Sequence, residues 1–475
     1  MKKKKIFILL PDGVGLRNFA FTSFVEIGKQ KGWEVVFWNQ TSFDLSELGF
    51  KEIRLTGNPR AKTDLLKRAK INAELDHFTD KFREPVYQTY KFPSSNIGLK
   101  KTVKNGIVSF YKEKYKGEKG LHKLRNKLKA SEKKGPLYKH CKEILEKERP
   151  DYVFCTNQRP VTAIGPLTAA EDLGIPTGTF IFSWDNLPKA TMVVETDHYF
   201  VWSEYMKNEL QKYYPFIPAE NIHITGSPQF EPHFDESLRK SREVFFKENN
   251  LDLRKDYLCF SGDDVTTCPD DHRYLQDMAE AVENLNQEGH KLGIIFRRSP
   301  VDLSGRYDKV LEKYSEIITP IAPKWKKAGD NWNAILPTKA DLELQVNTIL
   351  HSKAVVNLAS SMVFDFAIFD KPCLYLNYEV DNKQDNDWNP RKVYNFIHFR
   401  SMPSHNSVIW LNSKEEIEAK LKLALNDTSQ IVSEAKHWFE KINLQPAEKA
   451  SERIWESIDG LTNNRLPRPP LSDSQ

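Results

Sequence analysis

Short apolar runs alternate with longer stretches of helical periodicity along most of the chain. In the first half, strand-like runs are predicted at 6–10, 34–38, 52–55, 152–155, 177–182, 198–202 and 222–225. A second series follows a helical connector near 236–249, with strands at 257–261, 292–297, 317–319, 354–358, 373–376 and 408–411. Such alternation is typical of parallel sheets covered by helices on both faces. We therefore predict an α/β protein with two doubly wound, Rossmann-type domains facing a central cleft.

This pattern divides the chain into four parts. An N-terminal Rossmann-like domain covers 1–232 and contains a helical insertion at 97–149. A C-terminal Rossmann-like domain covers 233–428 and is followed by C-terminal helices at 429–461. The tail at 462–475 is rich in proline and polar residues, a composition that predicts disorder.

Charge is concentrated in the predicted insertion. The 475 residues carry 70 basic and 65 acidic side chains, a net charge of +5. Residues 97–149 alone hold 17 basic and 6 acidic side chains, a net charge of +11, which leaves −6 for the rest of the chain. Such asymmetry points to a polyanionic contact, and we expect an anionic membrane surface or an anionic acceptor. Nucleic acid is disfavoured because no recognised nucleic-acid-binding module accompanies the lysines.

Several classes of protein are excluded by composition. The five cysteines lie far apart without a C-x-x-C pair, which argues against a zinc module or a disulfide scaffold and fits a reducing compartment. The first apolar run ends at Pro11, too early for a signal peptide. No run approaches the roughly 20 apolar residues of a membrane span. We expect a cytoplasmic protein that contacts the inner face of the plasma membrane peripherally.

A polar loop with two glycines follows the first predicted strand. Gly13 and Gly15 let the backbone turn tightly and approach a ligand, and the next helix offers unpaired N–H groups to an anion or hydroxyl. The spacing is not G-x-G-x-x-G, so a dinucleotide fingerprint is not supported, and a plain βα turn is the alternative. The candidate cleft residues of this loop are Asp12, Gly13, Gly15, Arg17 and Asn18.

A second polar cluster follows the strand at 177–182. Trp184, Asp185 and Asn186 come directly after it and are expected to project into the cleft. A carboxylate at such a strand end can act as a general base, so Asp185 and Asp12 are the candidate catalytic residues. The alternative is an Asx turn in which Asp185 bonds its own backbone.

Strand ends in the second domain carry candidate anion-binding residues. Ser261 and Gly262 follow its first strand, where small residues let a ligand approach the backbone. Arg297 ends the next strand, where a guanidinium can clamp a phosphate or form a surface ion pair. His398, ahead of the last strand, is a further cleft candidate.

An acidic run at 263–272 does not predict a metal site. Its acids have no fixed ligand spacing, and a solvated loop that caps a helix accounts for them. We expect no bound metal and no cofactor.

The most informative stretch is V-N-L-A-S-S-M-V-F-D-F at 356–366. An apolar strand ends at 358, and Ser360 and Ser361 occupy the turn before a helix. Their hydroxyls and the free N–H groups suit a diphosphate, and Asp365, one turn later, can reach ribose hydroxyls. Helix capping alone is the alternative.

Residues 351–376 resemble the donor-binding stretch of GT-B fold glycosyltransferases, most closely those of bacterial CDP-glycerol glycerophosphotransferases and related surface-polysaccharide transferases. That family has a strand, then S-S-x-x-F-D-F-A, then a K-P strand. The matching residues here are Ser360, Ser361, Phe364, Asp365, Phe366, Lys371 and Pro372.

Three further segments extend the resemblance. F-R-R-S-P at 296–300 is similar to the family's R-P-H-P, with Arg298 and Ser299 in place of Pro-His, so no role of that His carries over. The segments 173–187 and 199–230 look like bacterial glycosyltransferases of the same fold. The resemblance covers both domains but not 60–150 or the tail.

The resemblance implies a GT-B glycosyltransferase that moves a sugar from a nucleotide-diphosphate sugar to a hydroxyl of a glycan or lipid-linked acceptor, without a metal. The C-terminal domain would hold the nucleotide through Ser360, Ser361, Asp365 and Arg297, with Ser261 and Gly262 nearby. The N-terminal domain would present the acceptor. Three alternatives stay open: a CDP-glycerol-type glycerophosphotransferase, a nucleotide-sugar 2-epimerase-like enzyme, and a non-enzymatic polyanion-binding scaffold.

Overall fold

A computed structural model describes residues 3–91, 98–327 and 335–463. The N-terminal domain contains a seven-stranded parallel sheet in the order β3-β2-β1-β4-β5-β6-β7. Its five inner strands are largely apolar and buried, as expected of a parallel sheet covered on both faces, whereas the edge strands β3 and β7 are partly exposed. They run over Lys5–Leu10 (β1), Glu34–Asn39 (β2), Glu52–Arg54 (β3), Tyr152–Cys155 (β4), Thr177–Phe180 (β5), His198–Val201 (β6) and Ile222–Ile224 (β7).

Helices connect these strands, and four of them fill the long crossover from β3 to β4. The basic segment forms three of the four, and its stretch at 106–110 is helical rather than extended. The helices of this domain are Val14–Phe19 (α1), Phe24–Gln30 (α2), Ala61–Phe82 (α3), Leu99–Lys114 (α4), Gly117–Glu132 (α5), Pro136–Glu148 (α6), Ile164–Asp172 (α7) and Glu204–Tyr213 (α8).

The C-terminal domain contains a six-stranded parallel sheet in the order β10-β9-β8-β13-β14-β15, and a small antiparallel hairpin formed by β11 and β12. The strands of the sheet are Asp256–Ser261 (β8), Leu292–Arg297 (β9), Ile318–Pro320 (β10), Ser352–Asn357 (β13), Cys373–Leu376 (β14) and Ile409–Leu411 (β15). The hairpin pairs Lys326–Lys327 (β11) with Ile335–Leu336 (β12).

After β7, helices again alternate with strands, except that the last two helices are not separated by a strand. They are Arg242–Glu248 (α9), Asp271–Gln287 (α10), Asp308–Lys313 (α11), Lys339–His351 (α12), Met362–Ile368 (α13), Pro390–Tyr394 (α14), Ile417–Leu425 (α15), Ser429–Ile442 (α16) and Ala450–Asn463 (α17). The predicted start of the disordered tail, residue 462, is two residues too early, because α17 includes residues 462 and 463. Residues 464–475 lie outside the described part.

Helix α17 packs against the N-terminal domain rather than the C-terminal one. The indole Nε1 of Trp455 donates to the carbonyl oxygen of Phe24 at 2.7 Å, and Trp33 Nε1 donates to Asp459 Oδ1 at 2.7 Å. Trp33 and Trp455 are almost fully buried. The chain therefore crosses between the domains twice, once after β7 and once after α16.

Both sheets change winding direction at one point, where a crevice opens between the loops of two adjacent strands. In the N-terminal sheet this point lies between β1 and β4, and in the C-terminal sheet between β8 and β13. The described residues thus form the two doubly wound domains that the sequence predicts, and ligand-binding loops are expected at these two switch points.

Candidate functional site

A cavity of about 240 Å³ lies between the domains at the first switch point. The N-terminal domain contributes the loop after β1 and the start of α1, and the C-terminal domain contributes Trp325, Leu336 and Pro337 around the hairpin. The residues contributed by the N-terminal domain include Asp12, Gly13, Arg17 and Asn18, all predicted from the sequence. The first loop therefore lines an interdomain cleft.

Asp12 is held by two hydrogen bonds at this switch point. The backbone N–H of Val14 donates to its Oδ1 at 3.2 Å, and Asn157 Nδ2, in the loop after β4, donates to its Oδ2 at 2.9 Å. Burial raises the pKa of the Asp12 carboxyl to about 6, although both hydrogen bonds oppose the shift. Asp12 is therefore largely ionised near neutral pH and remains basic enough to accept a proton.

Two polar side chains at the cleft have buried donor nitrogens without a partner among the described residues. These are Nε of Arg17 and Nδ2 of Asn18. Buried donors are normally paired, because an unpaired one costs about 1–3 kcal/mol. Both side chains line the cavity, so a hydroxyl or anion of a ligand would satisfy them.

The two glycines of the loop allow close approaches on either side. A Cβ at Gly13 would lie 1.9 Å from Cδ2 of Leu336, on the hairpin of the other domain. A Cβ at Gly15 would lie 2.3 Å from Oγ1 of Thr156, at the end of β4. Gly13 thus permits contact between the domains, and Gly15 permits α1 to pack against the central strand.

Asp185, the other candidate base, is engaged in an ion pair. Its Oδ2 accepts from the Lys189 ammonium, and its Oδ1 accepts from Asn186 Nδ2 at 2.9 Å. Burial raises the pKa of the Asp185 carboxyl, but Lys189 and His398 outweigh that effect and hold the pKa well below its usual range. A strongly acidic carboxyl is a weak base, and the catalytic roles expected of Asp185 and Asp12 stay predictions.

Trp184 and His398 meet at a buried junction between the domains. Their ring centroids are 4.6 Å apart in an edge-to-face arrangement, and Trp184 also contacts Phe364 and Trp438. Burial lowers the pKa of His398 to about 4, so its ring is neutral near pH 7. The expectation that Trp184 projects into the cleft is corrected: its large apolar ring is covered by the other domain.

Arg297 supports the C-terminal wall of the cleft. Its Nη2 donates to Asp341 Oδ1 at 3.1 Å, and Asp341 Oδ2 accepts from Trp325 Nε1 at 2.7 Å. Trp325 in turn lines the cavity. The buried Nη1 of Arg297 has no partner among the described residues, and a phosphate contact of this guanidinium stays a prediction.

Ser360 and Ser361 lie in the strained turn between β13 and α13. Ala359 has a φ of +57°, in the left-handed region that non-glycine residues seldom adopt. Ser360 Oγ accepts from the N–H of Met362 at 3.3 Å, whereas Ser361 makes no capping hydrogen bond through its side chain. Strain of this kind is often found where a backbone must meet a ligand, and the turn lies at the second switch point.

Asp365 is buried and bonded to a residue of the segment that links the domains. His233, in the segment that links the domains, and Asp365 share a hydrogen bond of 2.6 Å between Nε2 and Oδ1, and both side chains are buried. The expectation of a ribose contact is therefore corrected, because the carboxylate fastens α13 to the linker instead.

Ser261 and Gly262 end β8 at the second switch point, as expected. The N–H of Gly262 donates to the carbonyl oxygen of Arg297 at 2.8 Å, and a Cβ there would lie 3.1 Å from Oδ2 of Asp271. Asp271 accepts from Tyr307 Oη at 2.6 Å, and burial raises the pKa of its carboxyl to about 6. No group of three His, Cys, Asp or Glu in the described ranges is arranged to hold a metal ion.

Asn157, Trp325 and Leu336 are among the residues of the site that were not predicted from the sequence. Asn157 lies in the loop after β4, and the switch-point rule would have identified that loop once β4 was placed beside β1. Trp325 precedes a short hairpin and Leu336 lies in its second strand, and neither strand has a clear sequence pattern, so no local signal marks these residues.

Comparison with known proteins supports the fold. No protein-family model and no curated protein matches the chain. Solved structures do match over nearly their whole length. Staphylococcus aureus MnaA with UDP has a TM-score of 0.52 and 13% identity over 98% of this chain and 99% of that one. The UDP-GlcNAc 2-epimerase of Methanocaldococcus jannaschii has a TM-score of 0.52 and 14% identity, covering 96% and 99%.

A glycosyltransferase from Rickettsia africae matches to a similar degree. Its TM-score is 0.51 with 10% identity, covering 98% of this chain and 100% of that one. At such low identity these likenesses establish the fold and nothing finer. The chain thus has a GT-B-like fold of two Rossmann-type domains around a cleft.

Proposed function

We propose that this protein is an enzyme of nucleoside-diphosphate sugars that breaks the bond between the anomeric carbon and the diphosphate. The observation that carries the proposal is Asp12, a carboxyl with a pKa of about 6 at a switch point, facing a cleft beside two unpartnered donors. The solved structures of similar fold give independent support, since their names include UDP-GlcNAc 2-epimerases and a glycosyltransferase.

In this proposal Asp12 accepts a proton from the reacting sugar or acceptor. Arg17 Nε and Asn18 Nδ2 bind substrate hydroxyls or charged groups next to it. Across the cleft, Ser360 and Ser361 bind the diphosphate at the second switch point, and the free arm of Arg297 stabilises the charge that develops as the diphosphate leaves.

Epimerisation at C2 of the sugar is the better supported reaction, because three of the similar structures are named as 2-epimerases and one as a glycosyltransferase. This reaction needs no acceptor. The base takes the proton from C2 while the bond from C1 to the diphosphate oxygen breaks, and the electron pair of the C2–H bond forms a C1=C2 double bond. A proton then adds to the other face of C2, and the diphosphate oxygen re-forms its bond to C1. The side-chain carboxyl of Asp12 has a pKa suited to accepting the proton from C2.

Transfer of the sugar to an acceptor hydroxyl is the second candidate. The described cavity has one carboxylate in its lining, Asp12, and a transferase that inverts the anomeric centre needs only one base. None of the similar structures named above supports a CDP-glycerol donor. A nucleotide-binding screen would distinguish such a donor from a nucleotide sugar.

One experiment distinguishes the two reactions. The full chain is incubated with UDP-N-acetylglucosamine in D2O without acceptor and followed by NMR. Deuterium at C2 together with a second hexose epimer supports epimerisation, whereas an unchanged donor that turns over only when an acceptor is added supports transfer. Asp12→Asn should abolish either reaction without loss of folding.

Binding measurements test the nucleotide site separately. Calorimetry with UDP, CDP and GDP should show tighter binding of one diphosphate, and Ser361→Ala should weaken that binding. Unchanged affinity in this variant would refute the assignment of Ser361. If none of the three nucleotides binds the wild-type chain, the enzymatic proposal fails and a polyanion-binding scaffold is favoured.

A further inference from the structure

The basic insertion presents an apolar stripe to solvent on α4. Four large apolar side chains of this helix are exposed, and they occupy positions that face one direction. With 100° per residue, the stripe spans an arc of about 80°. Its members and their exposed fractions are Leu99 (82%), Val103 (55%), Ile107 (37%) and Phe110 (59%).

The opposite side of α4 attaches the helix to α3. Val108 is buried, Asn105 Oδ1 accepts from Arg68 at 3.1 Å, and Lys112 pairs with Asp76 at 3.1 Å. The exposed stripe is therefore not the packing face of the helix. Large apolar residues that form a contiguous exposed patch usually mark an interaction site.

The stripe continues into an open groove between α4 and the first turns of α3. This groove has a volume of about 620 Å³ and is walled by Val103, Ile107 and Phe110 on α4 and by Ala61 and Leu65 on α3. An apolar helix face and an adjoining apolar groove together form a surface able to enter the boundary between lipid headgroups and acyl chains.

Lysines border the stripe. Lys100 and Lys104 follow one edge of it, and Lys101 lies at the same end of the helix. All three are exposed, and no ion pair within the described ranges involves them. Their positive charge is free to meet an anionic surface, which complements the apolar stripe beside it.

We propose that α4 docks the protein on an anionic lipid bilayer, with the stripe inserted among acyl chains and the three lysines on the headgroups. No helix within the described residues is long and apolar enough to span a membrane, so the contact is interfacial. Helix α3 takes part in both regions: Leu65 walls the groove, and the charge of Lys67 lowers the pKa of Asp12.

Vesicle co-sedimentation of the full chain tests the proposal without any activity assay, so it is independent of the proposed function. The chain should bind vesicles of equal parts phosphatidylcholine and phosphatidylglycerol, and not vesicles of phosphatidylcholine alone. The double variant Val103→Ser/Phe110→Ser should lower binding at least roughly tenfold. The triple variant Lys100→Gln/Lys101→Gln/Lys104→Gln should lower it roughly tenfold to a hundredfold.

Matched controls lie in the other domain. Val244→Ser/Leu423→Ser replaces apolar side chains that are also exposed, at 46% and 41%. Lys247→Gln/Lys291→Gln/Lys309→Gln removes the same number of exposed charges. Both controls should bind vesicles like the wild type. Equal binding to neutral and anionic vesicles would overturn the proposal, as would equal losses in test and control variants. A wild-type dimer that the Val103/Phe110 variant dissociates, with no vesicle binding, would also overturn it.

Discussion

Asn157 donates a hydrogen bond from Nδ2 to Oδ2 of Asp12 at 2.9 Å and so joins the loops that follow β4 and β1. This bond favours the ionised carboxylate and opposes the effect of burial on its pKa. Asn157→Ala should therefore raise the Asp12 pKa above 6, and the acid limb of the pH–rate profile should move upward by roughly one unit. An unmoved limb would exclude Asp12 as the titrating group. Asn126→Ala, at an exposed site on α5, is the control.

Asp12 should destabilise the fold above neutral pH. Burial raises its folded-state pKa to about 6, above the usual value of 3.8, so folding favours the neutral acid. This contribution is complete below about pH 4 and is lost as pH rises through 6, at a cost of about 1–3 kcal/mol. Asp12→Asn should raise the melting temperature at pH 8 and leave it nearly unchanged at pH 4. A variant that is less stable at pH 8 would contradict this.

Gly13 and Leu336 should be energetically coupled across the cleft. A methyl group at Gly13 would lie 1.9 Å from the buried Leu336 side chain, so Gly13→Ala should cost about 1–3 kcal/mol of unfolding free energy. In the background of Leu336→Ala, which opens space, the same substitution should cost much less. Additive effects in this double-mutant cycle, measured by denaturant unfolding, would show that the two residues do not touch.

Asp365 should affect stability rather than nucleotide binding. Asp365→Ala leaves the buried His233 without its partner and should cost about 3 kcal/mol, whereas Asp365→Asn retains an acceptor for the imidazole and should cost less. The affinity of the folded variants for UDP should equal that of the wild type. Weakened UDP binding with unchanged stability would restore the ribose contact that the sequence predicts.

The fold was largely predictable because the strands of a buried parallel sheet are continuous apolar runs, which can be recognised from a few neighbouring residues. Residues 152–155 show this well, since all four are apolar and almost fully buried. The stretch at 106–110 resembles a strand in isolation, but it forms part of a long helix. The helical spacing of the exposed apolar residues can be recognised only over the whole length of α4.

The site was less predictable because its decisive contacts join distant parts of the chain. Asp12, Arg17 and Asn18 follow one strand directly, and the local pattern identifies them. The partner of Asp365 is 132 residues away, and Asn157 is 145 residues from Asp12. Trp184 was expected at the cleft because the polar residues Asp185 and Asn186 follow it in the sequence. Its ring is instead covered by the opposite domain.

The return of α17 has a consequence for how the protein is made. The bond from Trp455 to Phe24 joins residues 431 positions apart, and Asn443 Oδ1 accepts from the N–H of Ser227 where the two interdomain crossings meet. During synthesis the N-terminal domain therefore lacks the indole that covers α2 until the chain has been extended to residue 455. A fragment ending at 232 would expose Phe24 and Trp33, and the two domains would be difficult to produce as separate folded pieces.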